Sequence, residues 1–73
     1  METLEGRVLL VQEGRFMLET DQGVRRLFIL SHDAAVEAQQ LPPLQRTQAR
    51  IRVMFRPAPD MIAGTAHAIE CLA

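Results

Sequence analysis

The chain has 73 residues, with nine acidic side chains against eight arginines, no lysine and a net charge of −1. Its length allows one small domain, residues 1–73, in which folding buries only about 60% of the unfolded surface. The near-neutral balance excludes a general electrostatic case for nucleic acid. The absence of Tyr and Trp removes the best base-stacking platforms, and the single cysteine, Cys71, excludes an intrachain disulfide. Oligomerisation is one source of extra stability open to such a chain.

Met1 to Glu5 is acidic and polar, without the basic and apolar segments of a secretory leader. It reads as a short lead-in to the first strand. No apolar run approaches transmembrane length, so the expectation is a cytoplasmic protein with no membrane partner.

Gly6 to Leu30 reads as two consecutive β-hairpins. Gln12-Glu13-Gly14 and Asp21-Gln22-Gly23 are similar loops ending in Gly, which suits a three-residue turn closed by a left-handed residue. That loop length pairs Val11 with Arg15, Leu10 with Phe16, Leu9 with Met17, Val8 with Leu18 and Arg7 with Glu19. The second hairpin then pairs Glu19 with Arg25, Leu18 with Arg26, Met17 with Leu27, Phe16 with Phe28 and Arg15 with Ile29. Alternation along each strand sorts the side chains into two faces. Val8, Leu10, Phe16, Leu18, Val24, Phe28 and Leu30 form the expected core, with Arg26 the one charge among them. The outer face carries a charge row Arg7–Glu19–Arg25, an apolar row Leu9–Met17–Leu27 and a mixed row Val11–Arg15–Ile29. A two-residue Gln22-Gly23 turn is the competing register. It would bring Leu27 and Ile29 inside and expose Phe28 and Leu30.

After Leu30, Ser31 or Asp33 can cap a helix through Ala34 to Gln40, ended by Pro42. Val36, Leu41 and Leu44 are its expected buried contacts. Gln48 to Arg56 is the fourth strand, with Ala49, Ile51, Val53 and Phe55 alternating against Gln48, Arg50, Arg52, Met54 and Arg56. Pro57 to Asp60 forms a loop. Met61 to Leu72 is the fifth strand, and the three-residue spacing of Ala66 and Ile69 predicts a bulge near His67.

The order strand, strand, strand, helix, strand, strand matches an all-β, five-stranded OB-like barrel with one short helix. An SH3-like barrel is the alternative. The pattern resembles a bacterial family of short OB-fold domains of unknown function. The likeness rests on Gly6 and Val8; Leu18, Thr20 and Gly23; Leu44, Ile51 and Val53; and Ala66 and Ile69. Thr47-Gln48 stands where that family commonly turns on a Gly. The resemblance implies a fold and no activity.

The apolar outer row is the feature most in need of a function. Exposed apolar surface of this kind marks interfaces. The expected site is therefore Leu9, Met17, Leu27 and Ile29, rimmed by Arg7, Glu19 and Arg25, meeting a second copy or another protein. Intramolecular cover by the N-terminus or the helix is the competing explanation. Arg15, Arg25, Arg50 and Arg52 are the candidates for a phosphate track in a weak single-stranded nucleic-acid binder. A solvated strand face kept from edge pairing by charge is the favoured explanation of the strand-four arginines, Arg50, Arg52 and Arg56. His32, Asp33, His67 and Cys71 have no metal-motif spacing, and Ser31-His32-Asp33 cannot form a triad as sequential neighbours. No enzyme, cofactor or metal site is expected.

Overall fold

The computed structural model describes residues 1–57 and 63–72. Five strands run in the order β1 (Glu2–Gln12), β2 (Arg15–Thr20), β3 (Arg25–Leu30), β4 (Arg50–Arg56) and β5 (Ala63–Cys71). A short helix, α1 (Leu41–Thr47), lies between β3 and β4 and is preceded by a 3-10 turn over Ala38–Gln40. The strands close into a barrel in the spatial order β1-β2-β3-β5-β4. All pairings are antiparallel except that of β3 with β5. This is the OB-like architecture expected from the element order.

β1 begins at Glu2, so the first residues are strand and no lead-in. Glu2 to Arg7 pair with β4, and Gly6 to Gln12 pair with β2. Gly6 stands in both ladders, opposite Thr20 and Ile51. A Cβ there would lie 2.1 Å from the Glu19 carbonyl oxygen. Only glycine admits so close an approach, which lets one strand serve both sheets of the barrel.

The second hairpin has the expected three-residue register, from Glu19–Arg25 to Arg15–Ile29. Gly23 takes the left-handed conformation at φ 83°. The Thr20 and Gly23 amides donate to the Val24 and Thr20 carbonyls, and the Val24 amide donates to the Thr20 hydroxyl at 3.1 Å.

The first hairpin departs from expectation. Arg7–Glu19 and Val8–Leu18 pair as predicted, but Leu10 pairs with Met17, Val11 with Phe16 and Gln12 with Arg15. The loop is two residues long, and its positive φ (57°) falls on Glu13 rather than Gly14. Leu9 is left over as a one-residue bulge. Tight two-residue turns match strand twist, and a bulge absorbs the odd residue while bending the strand. One core assignment falls with this register. Leu10 is 62% exposed, and Val11 replaces it against the core. Val24, expected inside, is also exposed because it lies in the turn region before β3.

The core holds Val8, Phe16, Leu18, Phe28, Leu41, Ile51, Val53, Phe55 and Ala66. Its centre is aromatic. Phe16 stacks on Phe28 at 5.4 Å between centroids, and Phe55 meets Phe28 edge-on at 4.9 Å. Arg26, the charge on the inner face, lays its guanidinium 5.7 Å from the Phe55 centroid, a cation–π arrangement that lets its head stay partly hydrated. The inward alternation of β4 is as expected. The predicted bulge at His67 is present, since Met54 pairs with Ala68 and Phe55 with Ala66.

The helix lies later than its predicted span. Pro42 does not end it; Pro42 and Pro43 open it. Proline lacks an amide proton, which the first helical turn does not need, and its fixed φ suits that position. Leu41 is fully buried as the plug of the barrel, with Leu44 beside it. Val36 instead lines a separate hollow of about 500 Å³ with Gly14 and Leu30. Gln48 ends the helix in the left-handed conformation (φ 50°). β4 consequently starts at Arg50 rather than Gln48. The Pro57–Asp60 loop falls largely outside the described residues.

Candidate interaction surface

The outer face of β1–β3 carries three rows read directly from the ladders. They are Arg7–Glu19–Arg25, Leu10–Met17–Leu27 and Gln12–Arg15–Ile29. The charge row is the predicted one, and Arg25 Nε lies 3.4 Å from Glu19 Oε2. The apolar row keeps Met17 and Leu27 but takes Leu10 where Leu9 was expected, a direct consequence of the bulge. Met17, Leu27 and Ile29 are half-buried and lie outside the core cluster. Leu9 lines a concavity of about 370 Å³ with Arg7, Glu19, Gln45 and Gln48, at the seam between β1 and α1. The bulge therefore leaves two leucines on or beside the outer face instead of one.

Of the two proposed covers, the helix reaches one end of this face, where Gln45 and Gln48 line the concavity with Arg7, Leu9 and Glu19. The N-terminal residues pair along β4, and Leu41 of α1 plugs the core. Leu10 keeps well over half its surface in solvent.

The strip next to the charge row is ionic, since Arg7 of β1 pairs directly with Arg50 of β4. Arg50 Nη2 contacts Asp21 Oδ2 at 2.5 Å and Glu5 Oε1 at 3.1 Å. Arg52 contacts Glu5 Oε2 at 2.9 Å and Glu70 Oε1 at 2.8 Å. Asp21, Arg50, Glu5, Arg52 and Glu70 thus form one chain of alternating charge across the β2–β3 turn, β1, β4 and β5. The Arg50 hydrogen bond, aided by its charge, holds the Asp21 carboxyl below its ordinary value, and Arg50 is raised in turn. Three carboxylates serve two guanidiniums here, so this strip presents no net positive charge. Of the four arginines considered for phosphate, Arg25, Arg50 and Arg52 have carboxylate partners. Arg15 has no ion pair among the described residues.

Ser31, Asp33 and His67 come together, but in the wrong order for nucleophilic catalysis. The Ser31 hydroxyl donates to Asp33, and His67 Nδ1 lies 3.5 Å from the same carboxylate oxygen. The carboxylate sits between hydroxyl and imidazole, whereas activation needs the imidazole in the middle. The Ser31 hydrogen bond lowers the Asp33 carboxyl from its ordinary value. Among the described residues no group of three His, Cys, Asp or Glu could hold a metal. Cys71 is a free, exposed thiol. No helix among the described residues is long and apolar enough to cross a membrane.

The fold is that of a small closed OB-like barrel, an architecture that hosts many unrelated functions. No protein-family model matches the chain, and neither a curated protein nor a solved structure is significantly similar to it.

Proposed function

We propose that this protein is a non-catalytic interaction module that self-associates through the outer face of β1–β3. The observation that carries the reading is the apolar row Leu10–Met17–Leu27, with Leu10 62% exposed. Exposed apolar rows rimmed by charge are the anatomy of protein interfaces, and Arg7, Glu19 and Arg25 supply that rim. A second copy suits a 73-residue chain whose own core leaves little stability in reserve.

The three rows span roughly 14 Å along the strands and 10 Å across them between Cα positions. A patch of that size sits at the small end of specific interfaces, so the association is weak and concentration-dependent. Dilution followed by amide NMR tests it. Shifts should concentrate at Leu10, Met17, Leu27 and Ile29, with Arg50 to Arg56 unmoved. Shifts centred on β4 would remove this surface from the proposal.

Single-stranded nucleic-acid binding through Arg15, Arg25, Arg50 and Arg52 is the alternative. It would have to draw three of those side chains away from carboxylates already beside them. A labelled oligonucleotide titrated at low salt decides it, because phosphate contacts must weaken as salt rises.

A further inference from the structure

The outward side chains of β2 are Arg15, Met17 and Glu19, at alternate positions on one strand. Their charges read plus, neutral, minus, and reversal of the strand puts each charge against its opposite. Two such faces can meet about a two-fold axis in either of two simple ways. An axis along the strands would set Glu19 on the partner's Glu19 and Arg15 on the partner's Arg15, in like-charge contact. An axis along the apolar row reverses the strands and sets Arg15 of each copy on Glu19 of the other.

We infer that the second copy docks in this second orientation, with the two-fold axis running along Leu10–Met17–Leu27; the inference rests on the self-association proposed above. Met17 then lies on the axis against its counterpart, and the leucines flank it. An isologous contact repeats each interaction twice, so one Arg15–Glu19 complement supplies two ion pairs, one on each side of the apolar row. Sheets packed face to face lie about 10 Å apart, a gap that extended Arg and Glu side chains can bridge together. Arg25 reaches only one oxygen of Glu19, at 3.4 Å, so the other oxygen is open to a partner. The remaining outer residues tolerate the arrangement. Arg7 comes over Gln12 and Arg25 over Ile29, with no acid opposed to an acid.

The test uses Arg15→Glu and Glu19→Arg, each exposed enough on the outer face to be changed without touching the core. Thermal melts confirm that both variants fold. Each alone places like charges in contact at two points, and its dissociation constant should rise at least roughly tenfold at low salt. Mixing the two variants should give a one-to-one heterodimer, because one copy then carries two acids and the other two bases. The double variant Arg15→Glu/Glu19→Arg should associate as the native chain does. Native association that is lost in Leu10→Glu, together with single variants that associate as tightly as the native chain, would overturn the orientation while leaving the surface in place. A native chain that stays monomeric throughout would overturn the surface and the orientation together.

Discussion

Gly6 has a strand on each side of it and no room for a side chain. The nearest obstruction to a Cβ is backbone, the Glu19 carbonyl at 2.1 Å, which no rotamer change can move. Gly6→Ala should therefore cost about 3 kcal/mol or more, enough to unfold much of a barrel this small at 25 °C; urea denaturation measures it, and a loss below 1 kcal/mol would show that β1 can shift. Gln48 poses the opposite case. It holds φ 50° with a Cβ present, a conformation that costs a non-glycine residue roughly 1 kcal/mol. Gln48→Gly should raise stability by about 0.5–1 kcal/mol, read as a higher denaturant midpoint with an unchanged slope. Destabilisation instead would mean that the Gln48 side chain, which lines the concavity beside Arg7, contributes more than its backbone costs.

The strands differ in how much of their placement could be read in advance, and the difference has a physical cause. β4 reads Arg-Ile-Arg-Val-Met-Phe-Arg, and its alternation allows one inward set only. Ala66 and Ile69, both turned inward, announced the bulge at His67 through their odd spacing. Val8-Leu9-Leu10-Val11 is apolar at every position, so either face satisfies it and a one-residue bulge leaves no trace in the pattern. That is why Leu10 was expected in the core and Leu9 in the outer row. The helix was misplaced for a related reason. A proline ends one helix and begins another with equal ease, and only the burial of Leu41 beneath the barrel decides between them. At the candidate surface, Met17, Leu27, Ile29 and the charge row were legible because the second hairpin keeps to its turn rule. The carboxylate partners of Arg50 and Arg52 were not, since Glu5, Asp21 and Glu70 come from three distant parts of the chain. That ionic strip makes its own prediction. Folding holds the Asp21 carboxyl below its ordinary value of 3.8, so its contribution is present above about pH 4 and is lost as pH falls through the lower folded value. Thermal midpoints between pH 5 and 2 should drop less steeply in Asp21→Asn than in the native chain. Parallel curves would show that Arg50 gains nothing from Asp21 that Glu5 does not already supply.

Over the whole molecule, the ionic strip on β4 continues the charge row of β1–β3, since Arg7 pairs with Arg50. The β4 side is laced by five alternating charges. The β1–β3 side shows a row of leucines and methionine between a charged row and a mixed one. A closed barrel has few free edges through which to add strands, so a partner would have to meet a face, and among the described residues the outer face of β1–β3 carries the exposed Leu10. The central claim is that this face joins two copies of the chain. Light scattering over a wide concentration range tests it most directly, with Leu10→Glu run alongside. The native protein should rise from monomer towards dimer mass with concentration, while Leu10→Glu, altered at a position already 62% exposed, should stay at monomer mass with an unchanged melting temperature. A native chain that remains monomeric at the highest concentration, or a Leu10→Glu variant that dimerises as well as the native chain, would contradict it.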